Sequence, residues 1–141
     1  MPVHVLIADD YPLVIDWLKI VQESKGYVVD AEASNGRDAV SLALRFRPDL
    51  VLMDFHMPVL NGVEAAGEIL RKLPKTGIIL LTTPASVADV SDGLRVGIRG
   101  FAAKTGHAED VLQAINTVLA GKVHVGPQFS TSAMEPGEPV K

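Results

Sequence analysis

Short apolar runs and longer amphipathic stretches take turns five times from the N-terminus to about residue 121. Val3–Ala8, Tyr27–Ala33, Leu50–Met53, Ile78–Leu81 and Gly100–Ala103 read as strands. The first, third and fourth are apolar almost throughout, as a strand covered on both faces of a parallel sheet must be. The stretches between them have helical spacing. Val14, Trp17, Leu18 and Val21 recur on one face, and Gly26 is placed to end that helix. A second helix is expected over Gly36–Phe46, stopped by Pro48. Asn61 and Glu64 have capping-box spacing at the start of a third, whose inner face carries Ile69, Leu70 and Leu73. Ser86 and Asp89 have the same spacing before a fourth. The fifth is expected to bury Val111, Leu112, Ile115, Val118 and Leu119 and to stop at Gly121. Strand–helix alternation with short joins makes βαβ units, which are right-handed in nearly all cases. The expected fold is therefore α/β, a parallel sheet of five strands doubly wound by helices. One domain is expected over residues 1–125. Residues 126–141, polar and containing Pro and Gly, read as a linker or disordered tail.

Composition narrows the class of protein without choosing a function. A chain of 141 residues, 48% hydrophobic and 21% charged, suits one soluble globular domain. At this length roughly 70% of the unfolded surface is buried on folding. The formal charge of -4 and the lack of long basic runs make nucleic acid an unfavoured direct partner. There is no cysteine, hence no disulfide and no thiolate metal site, which is compatible with a reducing cytoplasm. No apolar stretch approaches the ~20 residues that span a bilayer, and the N-terminus has no secretion-signal pattern, so neither membrane insertion nor export is expected.

Candidate chemistry gathers where strands end. Asp9 and Asp10 follow the first run, Asp54 closes the third and Lys104 follows the fifth. Parallel strands bring their carboxyl ends to one edge, the edge at which α/β proteins bind ligands. Three carboxylates and a lysine there outline a site for a divalent cation and a phosphoryl group. Mg²⁺ prefers six oxygen ligands and is commonly held by a few carboxylates plus phosphate oxygens. An aspartate can also attack phosphorus and become an acyl phosphate. Taken singly, each residue has a plainer reading. Asp10 suits a helix cap, Asp54 a turn, Lys104 a solvated strand end, Thr82 and Thr83 ordinary strand positions, and Phe101 core. Those readings do not explain why all the groups fall at carboxyl ends.

Asp9-Asp10, then Met53-Asp54-Phe55-His56-Met57-Pro58 with Gly62, then Leu81-Thr82, then Gly100-Phe101-Ala102-Ala103-Lys104 resemble the receiver (CheY-like) domain of bacterial two-component response regulators. The likeness runs in order and spacing over about residues 3–121. It implies a flavodoxin-like (βα)5 fold with strand order 2-1-3-4-5 and phosphorylation of Asp54 by a sensor histidine kinase. It also implies Mg²⁺ held by Asp9, Asp10, Asp54 and the backbone carbonyl of His56, and pairing of Lys104 with the phosphoryl oxygens. Thr82 would be the switch hydroxyl, preferred to Thr83 by its distance from Lys104, and Phe101 the switch aromatic. The resemblance further implies pairing of two copies through the fourth helix, fifth strand and fifth helix.

The departures matter too. Many receivers have proline after the site lysine; Thr105 stands there, which leaves the peptide geometry open. That feature, with the stretch from Ala108 to Val123, is similar to receivers of the NarL/LuxR type, which usually continue into a DNA-binding domain. The chain is thus read as a fragment cut in its linker, with a stand-alone receiver as the alternative. His56, two residues beyond Asp54, occupies a position that influences acyl-phosphate lifetime in that family; an exposed loop histidine is the other reading. Two enzyme or binding alternatives fare worse. An aspartate-based phosphatase would carry a carboxylate where His56 stands and would leave the Asp9-Asp10 pair without a role. A nucleotide-binding module would need a glycine-rich phosphate loop after a strand, and none follows. A receiver fold that signals by protein contacts without taking phosphate stays open.

Overall fold

The computed structural model describes residues 2–82, 87–103 and 108–126. Strands and helices alternate as β1 (His4–Ala8), α1 (Pro12–Ser24), β2 (Val28–Ala33), α2 (Gly36–Phe46), β3 (Leu50–Asp54), α3 (Gly62–Lys72), β4 (Gly77–Thr82), α4 (Val87–Val96), β5 (Gly100–Ala103), α5 (Ala108–Leu119) and β6 (His124–Val125). All strand pairings are parallel, in the order β2-β1-β3-β4-β5-β6. The expected order holds for the first five strands, and β6 is an addition to the expected sheet. Two residues are too few to show a period in sequence. They join β5 because the chain leaving α5 runs back along it, with the His124 N–H donating to the Arg99 carbonyl and the Gly126 N–H to that of Phe101, both at 2.8 Å.

Alternation along the strands divides the core in two. Leu6, Val51, Met53, Ile78, Leu80 and Phe101 face α2, α3 and α4. Val5, Ile7, Leu50, Leu52, Ile79 and Leu81 face α1 and α5. These strand residues are closed to solvent on both faces of the sheet, so their side chains contribute ~1.5–3 kcal/mol each relative to exposure. The result is a helix–sheet–helix sandwich whose carboxyl edge is held rigidly from both sides.

Local signals behave mostly as their chemistry requires. The Asn61 side chain accepts from the Glu64 N–H at 2.8 Å and the Glu64 carboxylate accepts from the Asn61 N–H at 2.9 Å, closing the capping box of α3. Asn35 caps α2, and the left-handed Arg47 (φ 50°) ends it ahead of Pro48. Two helical faces differ from expectation. On α5 the buried set is Val111, Ala114, Ile115 and Val118, while Leu119 is 41% exposed. On α1 the buried set is Ile15, Leu18, Val21 and Gln22, with Val14 and Trp17 packed at its margin. The cap expected from Ser86 lies outside the described residues, as do residues 127–141 of the expected tail. Among the described residues no helix is long and apolar enough to cross a membrane.

Candidate functional site

Strand register decides which residues meet at the carboxyl edge. Ala8 pairs with Met53, which brings Asp9 and Asp54 level on neighbouring strands. Asp54 lies opposite Leu81, and Thr82 opposite Ala103. Asp9, Asp10 and Asp54 each present one carboxylate oxygen, and the three oxygens lie within 4.8 Å of one another. Asp9 and Asp54 are 1% and 3% exposed, whereas Asp10 faces solvent.

The chain holds these carboxylates by its backbone. The Asp9 N–H donates to the Ala33 carbonyl at 3.0 Å, carrying the β1–β2 ladder one residue past β1. Asp9 Oδ1 accepts from the Tyr11 N–H at 2.8 Å, which fixes the turn into α1. Asp10 does not cap α1: the N-cap is Tyr11, whose side chain makes no capping hydrogen bond to the helix, and Pro12 opens the helix. Asp9 supplies the local acceptor instead, and Asp10 is left turned to solvent beside it. On the other strand, the Phe55 N–H donates to the Leu81 carbonyl at 3.2 Å. The Gly62 N–H donates to the Phe55 carbonyl at 2.7 Å, closing the loop that follows Asp54. Gly62 has to be glycine, since a Cβ there would stand 2.6 Å from the Asp54 carbonyl oxygen and 2.6 Å from Leu80 Cδ1.

The other expected residues are placed as follows. Thr82 ends β4 at the site edge, and its side chain lies outside the described residues; so does Lys104, which directly follows the last residue of β5. Phe101 is 1% exposed and lies in the core under α4. A Cβ on Gly93 would come within 2.8 Å of its ring, so the glycine in α4 makes room for the aromatic. Helical spacing alone gives no sign of this packing role. His56 is exposed, its ring edge-on to that of Phe55 with centroids 4.5 Å apart.

Structure adds groups that no motif marked. Asp16, Glu32 and Ser34 line a cavity of about 220 Å³ together with Asp9 and Asp10. Glu32 pairs with Lys19 at 2.8 Å, and that hydrogen bond and charge raise the Lys19 ammonium above its ordinary 10.5. The signal for Glu32 is register, because Glu32 lies beside Ile7. Register becomes visible only when β2 is known to neighbour β1.

The donor set consists of hard oxygens alone, which excludes soft-metal chemistry and suits Mg²⁺ or a related cation. Octahedral bonds of ~2.0–2.1 Å set ligand oxygens ~2.9 Å apart when adjacent and ~4.2 Å when opposite, close to the 4.8 Å within which the three oxygens lie. Gathering three carboxylates at an edge raises their mutual repulsion, which a divalent cation relieves.

Comparison with known proteins bears on the family of the chain. The sequence pattern of the family described as response regulator receiver domain matches residues 5–116. The uncharacterized transcriptional regulatory protein YxjL of Bacillus subtilis is 36% identical over 85% of this chain and 56% of its own length. The chemotaxis protein CheY of Thermotoga maritima is 36% identical over 82% of this chain and 96% of its own. A LuxR-family two-component response regulator from Aurantimonas sp. SI85-9A1 superposes with a TM-score of 0.88 at 26% identity, covering 96% of this chain and 97% of that one. The chain spans 56–60% of the length of the first transcriptional regulators it matches.

Proposed function

This chain belongs to the response regulator receiver domain family, and from that membership we propose that Asp54 is its phosphoacceptor, loaded by a sensor histidine kinase in the cytoplasm. The observation that carries the proposal is the cluster itself: Asp54 buried at the end of β3 with a carboxylate oxygen within 4.8 Å of those of Asp9 and Asp10. In the proposed reaction an Asp54 carboxylate oxygen attacks the phosphorus of the kinase's phosphohistidine. The P–N bond breaks as the P–O bond forms, and the leaving imidazole keeps the electron pair. Phosphoryl transfer asks mainly for alignment and charge neutralisation. Asp9, Asp10, Asp54 and the His56 backbone carbonyl would hold Mg²⁺, which neutralises charge on the transferred group. Asp9 is fixed for this by its bond to Tyr11, and Asp54 by its strand. Lys104 would then pair with a phosphoryl oxygen, and Thr82 would hydrogen-bond another.

Receivers are phosphoacceptor switches, and the catalytic part of this one is assistance to its own phosphorylation and dephosphorylation. A phosphoryl group adds ~1.5–2 negative charges and three acceptor oxygens. Thr82, Phe101 and α4 form the proposed switch, with Phe101 ring position and α4 packing changing together because the ring fills the space at Gly93. The proposed output is transcription through a DNA-binding domain outside this chain, with pairing of two copies through α4, β5 and α5. Residues 1–125 are the proposed receiver unit and 126–141 its linker.

The deciding experiment is intact mass after incubation with acetyl phosphate, with and without Mg²⁺. Wild type is expected to gain one phosphoryl group only with the metal, and Asp54→Ala none. Uptake that persists in Asp54→Ala would move the acceptor elsewhere.

A further inference from the structure

The edge of the sheet opposite the carboxylates holds a second cavity, of about 490 Å³, within the size range of small-molecule sites. Arg47, Lys72, Lys75 and Arg99 line it, in a chain whose net charge is -4. None of the four is in an ion pair among the described residues. Asp49, the acid at the rim, turns Oδ2 to the His4 N–H at 2.8 Å. Part of the positive charge has a structural use, because α2, α3 and α5 end here and each carboxyl end carries about half a negative charge. Three such ends and Asp49 offset about 2.5 of the four charges, leaving an excess of about 1.5.

Two further features distinguish the cavity from a solvated basic patch. Thr76 lines it at 7% exposure, and its hydroxyl has only a 3.5 Å contact to the Pro48 carbonyl, at the outer limit of a hydrogen bond. Leu119, whose helical spacing assigns it to the core, is instead exposed and lines the cavity, as do Leu73 and Pro74. The lining thus offers cations, a buried hydroxyl and apolar surface to one ligand.

We propose that this cavity binds a small phosphorylated organic anion of nucleoside-monophosphate size, its phosphate held by the cations and Thr76 and its ring by Leu73, Pro74 and Leu119. The site is independent of Asp54 and its chemistry, so the two assignments stand or fall separately.

Amide spectra of the 141-residue chain test this directly, titrated with adenosine monophosphate, inorganic phosphate and adenosine. The monophosphate is expected to shift the Thr76, Gly77 and Arg99 amides saturably, inorganic phosphate to shift them more weakly, and adenosine to leave them in place. A Lys75→Gln/Arg99→Gln double variant should weaken the monophosphate about tenfold or more. Its unchanged amide positions in α1 and β1 would show the fold intact. The proposal is overturned by no saturable shift below ~10 mM, by equal affinity in the double variant, or by inorganic phosphate binding as tightly as the nucleotide. Equal shifts from adenosine, or an acidic peptide shifting these amides where the nucleotide does not, would overturn it as well.

Discussion

Val59 holds a backbone φ of 74° in the loop between β3 and α3, with its side chain 75% exposed. A β-branched residue in the left-handed region is strained by ~1–3 kcal/mol, and exposure leaves its side chain little packing to offset that. Val59→Asn should therefore raise stability by ~1 kcal/mol, read as a higher urea midpoint at unchanged slope. A lower midpoint would show that the valine makes a contact worth more than its strain. Gln22 is a second strained position of another kind. It is fully buried in α1, and neither Oε1 nor Nε2 has a hydrogen-bond partner among the described residues. Burying such groups costs ~1–3 kcal/mol, so Gln22→Met, similar in length and apolar, should raise the melting temperature by about 3–5 °C. A fall would point to a bound water completing the amide's bonds. Neither position was legible in sequence, since no pattern there marks the φ of Val59 or the burial of Gln22. Asp9 and Asp54 were legible only in combination, because the plain readings that suit each residue singly do not explain why all the groups fall at carboxyl ends. Which of Asp9 and Asp10 would be buried was not, since that depends on the turn amide at Tyr11.

Among the elements, β6 has the least support, being two residues at the margin of the sheet. His124 within it is partly buried, and burial lowers its imidazole below the ordinary 6.5, against an opposing pull from Asp110. A histidine with a depressed folded value binds its proton more readily when unfolded. Its contribution to stability is thus present above pH ~6.5 and is lost as pH falls through the folded value. The His124 and Gly126 amides should accordingly exchange faster relative to those of β1 as pH drops below ~6.5, after correction for intrinsic exchange rates. Exchange that keeps pace with β1 would remove His124 from any role in holding β6. The long elements were legible from sequence for the converse reason. α2 shows its whole span because Asn35, the apolar face and Pro48 all agree, and α3 because Asn61 and Glu64 are reciprocal partners. In α4, glycine is by nature a poor helix former, and the ring of Phe101 packed against Gly93 gives it a steric reason that only tertiary structure reveals.

For the molecule as a whole, the acidic cluster ties metal binding to stability, because an ion that binds only the folded cluster stabilises the fold in proportion to its occupancy. Mg²⁺ at about 100 times its dissociation constant should add ~2.7 kcal/mol, and chelation with EDTA should remove it. Thermal unfolding with each measures this, and coincident melting curves would deny the cluster its metal. Strand order carries a further consequence. β2 and β3 both pair with β1, which lies between them, and from β4 on every strand is laid beside the one made just before it. A chain emerging from the ribosome can therefore complete the β2-β1-β3 nucleus, with Asp9 and Asp54 already in adjacent register, before β4 exists. From there the sheet lengthens at one margin and never has to open. Pulled from its C-terminal end, the same molecule would meet the load at β6, β5, β4 and β3 in turn, so the strands bearing the carboxylates are the last to be reached.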